Sequence, residues 1–373
     1  MADGTDQGSN DRGAEDAALT AAYRAAAGGA PYFCPPYEDV RAAPGFEVLR
    51  LGSGPLPVVV GEQQRKFTVG ERKLGTLTVR AASLPNPWLL EGLGEDAIAD
   101  ALREALGRSG ADVLEVGEVP TASRLRAALG ALSWPHRPLA KGRKDSVRWL
   151  IDLPDTFDAY MKTLSSSTRQ SQKRKMRKLE KDFDVALEVV TEAAQVPRFL
   201  AEGEAISRLT YQWNVGQRLE DDAATRARYE ALCEAGRLRC YLMSLDGTPR
   251  AFLRGTVEGG LYHYETPGFD PDYGRSSVGT VLLLYALRDL IEETDVSVFD
   301  FGTGGDETGY KSTYGNRSLA CADYAVVRMD RLRGAALWAA QTGLNRAKDA
   351  ASLALRDERL RRAMKRMARQ YGG

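Results

Sequence analysis

The string FDFGTGGDETGYKSTYG at 299–315 concentrates glycines with Asp300, Asp306, Tyr310 and Lys311. Glycines leave backbone N–H groups accessible, and acids, a lysine and phenols beside them could hold a substrate or move protons. A phosphate-binding loop of the form GxxxxGK[ST] is excluded. Tyr310 separates Gly309 from Lys311 and takes the lysine out of the register that aims it at phosphates. The alternative is a glycine-rich turn whose charges are only solvated. A second string, YGRSSVGTVLLLYAL at 273–287, places Arg275, Ser276, Ser277, Gly279 and Thr280 where a small-residue turn opens an apolar helix. Backbone N–H groups and the helix dipole there suit a pyrophosphate; Gly279 equally suits close packing. A third, SSSTRQSQKRKMRKLEK at 165–181, carries seven cations against Glu180, and Arg169, Lys173 and Arg177 recur every four residues as one basic stripe. Such a stripe suits a polyanion or a solvated face. No aromatic residues interleave with the cations, which argues against base stacking.

The elements that must position these groups follow from apolar periodicity. In the first half the patterns predict strands at 46–51, 56–60, 74–80, 111–116 and 147–153, with an amphipathic helix over 95–108 carrying Ile98, Leu102 and Leu106. A long helix runs from Pro154 to about residue 181. The second half predicts a strand at 183–190, helices at 195–211 and 221–235, and a three-strand meander at 237–245, 249–257 and 260–266. A helix at 277–293, a strand at 296–301, a short helix near 306–314 and a strand at 319–329 follow. In α/β sheets, ligands gather where strands diverge opposite a helix N-terminus. That places the site at the start of helix 277–293, beside the ends of strands 260–266 and 296–301.

The chain has 373 residues, 43% of them hydrophobic, and Lys+Arg 51 balance Asp+Glu 51. Length implies two domains. Zero net charge means that any contact with nucleic acid or membrane must come from a local cluster. Cys34, Cys233, Cys240 and Cys321 are scattered and only two histidines occur, so neither a disulfide scaffold nor a zinc site is expected. No run approaches a membrane span and the start lacks an export signal, so a cytoplasmic location is expected. Residues 1–30 are Ala, Gly and Asp rich and read as a disordered tail. The tail at 331–369 bears eleven cations against three acids, with Leu337, Trp338 and Leu344 as an apolar side. It suits peripheral contact with the inner face of a membrane, or a helix packed across the N-terminal domain.

In the order basic run, turn-helix and glycine-rich string, residues 150–330 resemble the GNAT acyltransferase superfamily. The branch is that of CelD-type proteins associated with cellulose biosynthesis, related to Fem-type aminoacyltransferases. The resemblance implies an α/β (α+β) fold of tandem GNAT-like domains, with mixed central sheets flanked by helices and followed by basic C-terminal helices. Its boundaries are an N-terminal domain over 31–153, a C-terminal acyltransferase domain over 154–330 and the tail over 331–373. It implies acetyl-CoA or another acyl-CoA as co-substrate, no metal, and an amine acceptor on a sugar, a lipid-linked molecule or a peptide. The usual pyrophosphate turn, [QR]xxGx[GA], is matched only by Gly279 at its final position, Gly274 and Ser277 standing at its first two landmarks. Aminoacyl-tRNA, the donor of Fem-type relatives, therefore stays open, as does a non-catalytic scaffold for an envelope polysaccharide machinery.

Acyl transfer to an amine needs a base, an oxyanion donor and an acid for the leaving group. Strand 260–266 supplies His263 and Glu265 on one face, with Tyr264 on the other. Either is a candidate base, and His263 is equally a core histidine. By resemblance, Tyr310 stands where a tyrosine protonates the thiolate, and Lys311 stabilises the oxyanion or holds an acidic substrate. Asp300 and Asp306 would anchor the acceptor ammonium, or cap loops. Arg169, Lys173 and Arg177 would bind a polyanionic part of a substrate.

Overall fold

A computed structural model describes residues 7–69, 72–141, 146–210, 213, 218–303 and 309–356. Contacts divide the chain into two units, one of residues 1–27, 35–145 and 321–373, the other of 28–34 and 146–320. Each follows the expected mixed α/β plan.

In the first unit, α1 (Gln7–Gly29) and α2 (Tyr37–Arg41) precede a meander of β1 (Phe46–Leu51), β2 (Gly54–Val69) and β3 (Arg72–Leu84). Then α3 (Glu95–Arg108) leads to β4 (Val113–Pro120), which lies parallel to β3. After α4 (Arg124–Gly130), β5 (His136–Ala140) pairs antiparallel with a late strand that also pairs with β4. Ile98, Leu102 and Leu106 of α3 are buried as their spacing predicts. Residues 7–29 form α1 instead of a disordered tail. Leu19 and Tyr23, four apart and hence on one helix face, are buried against Tyr37 and Val40.

The second unit opens with β6 (Ser146–Asp152), α5 (Phe157–Thr163) and α6 (Ser166–Asp182). The single helix expected over 154–181 is broken at Leu164, which is extended; the Ser165 hydroxyl then accepts from the Thr168 N–H at 3.2 Å and restarts it. There follow β7 (Val185–Val190), α7 (Val196–Leu209), α8 (Ala223–Glu234), and the meander β8 (Cys240–Leu245), β9 (Thr248–Glu258) and β10 (Leu261–Phe269). Next come α9 (Val278–Glu293), β11 (Val298–Thr303) parallel to β10, and α10 (Tyr310–Tyr314). The sheet order is β6-β11-β10-β9-β8-β7. Tyr262, Tyr264, Phe299 and Phe301 form a core with α5, α6 and α9 on one face, while Leu242 and Phe252 pack with α7 and α8 on the other.

The late strand β12 (Arg317–Arg328) starts in the second unit and carries the chain into the first; α11 (Leu332–Arg356) follows. Leu337 is buried and Trp338 packs beside it against Val79, Val113 and Val327. Part of the tail's apolar side therefore covers the first unit's own sheet. The cations beyond Arg356 lie outside the described residues. Among the described residues, no helix is long and apolar enough to cross a membrane.

The domain boundaries thus differ from the sequence expectation at both ends of the second unit. Residues 28–34 and β6 join it because their partners are there: β6 pairs with β11, and the 28–34 arm bonds to Asp300.

Candidate active site

The parallel pairing of β10 and β11 runs from Leu261–Val298 to His263–Asp300 and ends there. Two irregularities explain the end. β10 bulges against β9 between Tyr264 and Thr266, so Glu265 is the extra residue. β11 slips against β6 between Asp300 and Thr303, where Gly302 has φ +69°. A bulge bends its strand and raises the local twist, so the strand ends diverge. The start of α9 follows the end of β10 through a 3-10 turn at Pro271–Ser276.

That helix start is built for donors. Ser277 is left-handed (φ +60°) and its side chain makes no cap. The first intrahelical bond is made by Val281 N–H to Ser277 O at 3.0 Å, so the N–H groups of Val278, Gly279 and Thr280 precede the ladder. Arg275 is exposed beside them. Gly279 has a packing reason as well. A Cβ there would lie 2.8 Å from the ring of Phe269, which is 39% exposed. Gly279→Val should therefore cost about 1–3 kcal/mol by overpacking, and Phe269→Ala should recover most of it in the double variant. Urea unfolding of the three proteins checks this. Loss of CoA binding that persists in the double variant would mean that Gly279 also admits phosphate.

On the α9 face of the divergence, Tyr310 is 49% exposed, its ring lies edge-on to Phe301 at 6.1 Å, and its hydroxyl is 3.5 Å from that of Tyr264. Burial raises the pKa of Tyr264 well above the ordinary phenol value, with Tyr310 adding to the rise. Tyr264 therefore keeps its proton. Lys311 Nζ donates to Phe301 O at 2.7 Å and Thr303 O at 3.1 Å. Its ammonium ties down the end of β11, a structural engagement beyond the two expected roles of oxyanion donor or holder of an acidic substrate.

The other face carries His263 and Asp300. The His263 imidazole is half-buried and stacks on Phe33, centroids 4.1 Å apart and planes 11° apart. Of the two expectations for Asp300, an acceptor anchor or a loop cap, its bonds fit the second. It is fully buried, and Arg148 Nε and Nη2 donate to it at 2.9 and 2.7 Å while the N–H groups of Phe33 and Gly302 donate at 2.8 and 2.7 Å. With its lone pairs taken up by four donors, it is a buried anchor. Glu265 is committed too. Arg254 of β9 and Arg228 of α8 hold its carboxylate at 2.7 and 3.6 Å. Asp306 lies outside the described residues.

The basic stripe faces outward, because Gln172, Met176 and Leu179 are the buried side of α6. Lys173 and Arg177 are exposed. Arg169 reaches Lys162 O at 3.4 Å and Lys173 reaches Asp158 at 3.4 Å, which orients both near the α5–α6 corner. This helix packs against the turn at 271–276 and against α9, with Phe183 just past its C-terminal end meeting the Tyr273 ring.

Sequence reasoning missed Arg148, Tyr32 and Phe33. The first had a signal, an arginine inside the apolar strand VRWLID, since a buried charge demands a partner. The other two had none, because their contacts with Arg148, Asp300 and His263 are made across more than a hundred residues of chain.

Residues 166–312, from the first turn of α6 to α10, match the family model described as an acetyltransferase (GNAT) domain. Among solved structures, FemX superimposes with a TM-score of 0.54 at 12% identity, covering 83% of this chain and 96% of FemX. L-PGS from Bacillus licheniformis gives 0.45 at 12% identity, covering 81% and 90%. A tandem GNAT protein from the clavulanic acid biosynthesis pathway gives 0.40 at 14%, covering 82% and 93%. No curated protein matches the chain.

Proposed function

We propose that the second unit is an N-acyltransferase that uses acyl-CoA and an amine acceptor. The observation that supports this best is the divergence of β10 from β11 at His263–Asp300, with His263 on one face and Tyr310 on the other. An amine deprotonated by His263 would attack from one side, and Tyr310 would give a proton to the thiolate leaving on the other. The residues present fit a CoA phosphate. Val278, Gly279 and Thr280 offer backbone N–H groups and Arg275 adds charge, while the basic stripe of α6 would meet a further polyanionic part of a substrate. The group itself supplies the activated acyl thioester. Lys311 shapes the end of β11 by holding two carbonyls, and Glu265 is a structural partner of two arginines. The acceptor amine would belong to a sugar, a lipid-linked molecule or a peptide, and the cationic C-terminal segment would bring the enzyme to an anionic membrane.

Thermal unfolding with acetyl-CoA tests the reading. A ligand present at 100 times its Kd adds about 2.7 kcal/mol to stability, so the midpoint should rise with acetyl-CoA. Arg169→Gln, Lys173→Gln and Arg177→Gln together should weaken that binding and flatten its salt dependence, since fewer screened contacts remain. The same basic surface suits a tRNA. No shift with acetyl-CoA but a salt-sensitive shift with aminoacyl-tRNA would replace the donor and overturn this proposal.

A further inference from the structure

The segment Gly28–Cys34 belongs by its contacts to the second unit although the chain on either side belongs to the first. It is fastened by several unrelated bonds. Arg317 Nη1 donates to Pro31 O at 3.4 Å, and Tyr32, 3% exposed, stacks over the Arg148 guanidinium at 4.6 Å. Phe33 N–H donates to Asp300 Oδ2 at 2.8 Å, and Asp300 sits directly opposite His263 in the parallel register. The Phe33 ring then lies flat on the imidazole. We infer that Phe33 is a positioning residue for His263, and that residues 28–34 complete an active unit that the 166–312 segment cannot complete alone. The inference rests on His263 being the base proposed above.

The physical reason is torsional. The second side-chain torsion of histidine is broad, so a ring lying flat on the imidazole at this end of the pairing narrows the planes it can take. A base must meet its proton at about 2.6–3.2 Å, and a displacement of 1 Å can cost about 10² in rate. Phe33 supplies a flat wall against one side of the imidazole, on a backbone that is itself anchored. Its own backbone is bonded to a fully buried carboxylate, and that carboxylate is held by a buried arginine.

The test uses the full chain without a tag, because its only two histidines are His136 and His263. In proton NMR the His263 ring signal, assigned with His136→Gln, should be displaced upfield by the Phe33 ring current. Phe33→Leu should move it downfield, Phe33→Tyr should keep it, and Phe33→Met serves if the leucine variant does not fold. Acetyl transfer from acetyl-CoA is followed with glucosamine, lysine and a dipeptide as amines. In Phe33→Leu, kcat should fall about tenfold, within the roughly 10² that a 1 Å misplacement costs, with KM for acetyl-CoA unchanged and activity kept in Phe33→Tyr. An unmoved His263 signal in Phe33→Leu overturns the inference whatever the activity. A moved signal with full activity in His263→Gln overturns the base assignment instead, and reduces the stack to packing.

Discussion

Asp300→Asn should destabilise the protein by about 3–5 kcal/mol, the cost of leaving one member of a buried ion pair without its partner. Arg148 and Asp300 are 2% and 0% exposed, so water cannot replace the lost charge. The substitution also turns an acceptor of four donors into an amide that can accept at only one oxygen. Replacing both partners, Arg148→Met with Asp300→Leu, removes the unpaired charge and should recover part of the loss. It should not recover all of it. The N–H groups of Phe33 and Gly302 would remain without their acceptor, and an unsatisfied buried donor costs about 1–3 kcal/mol. Chemical unfolding of the single and double variants measures both quantities. A single variant within about 1 kcal/mol of wild type, as for an exposed pair, would mean that the ion pair is open to solvent.

How much of this was legible depends on range along the chain. Helix α3 falls at the residues its apolar spacing predicts, and α9 begins one residue late, because both expose a strong 3.6-residue pattern. The meander and the strand after it are equally plain, so the site beside the start of α9 follows from local pattern alone. β5 could not. HRPLA contains a proline and no alternation, and it is a strand because β12 offers it an edge. The polar groups of the site divide in the same way. Tyr310 is where the glycine-rich string puts it, open on one side of the divergence. Asp300, in the same string, leaves two readings, an acceptor anchor or a loop cap, and what decides is a principal partner 152 residues away. Local sequence shows that a carboxylate is present; only tertiary pairing decides whether it meets a ligand or an arginine. The same holds for Glu265, whose partners lie on β9 and α8.

That distinction separates the two candidate bases. His263→Gln should lower kcat by about 10²–10⁴, the usual contribution of a general base, while leaving the affinity for acetyl-CoA near wild type. The imidazole is on the face away from Tyr310, and the helix-start donors of α9 do not depend on it. The pH profile should change with it. A base works only when unprotonated, so wild-type activity should fall toward acid, and that limb should vanish from the residual activity of His263→Gln. Glu265→Gln should behave differently. Its carboxylate is held by Arg254 and Arg228, with Arg254 itself only 15% exposed, so the loss should appear as a lower melting temperature. Activity per folded molecule should stay within a few-fold of wild type. Steady-state rates and melting curves on the same two preparations decide between them. If Glu265→Gln abolishes turnover at unchanged stability while His263→Gln remains active, the glutamate is the base, and its two arginines must release it when the acceptor binds.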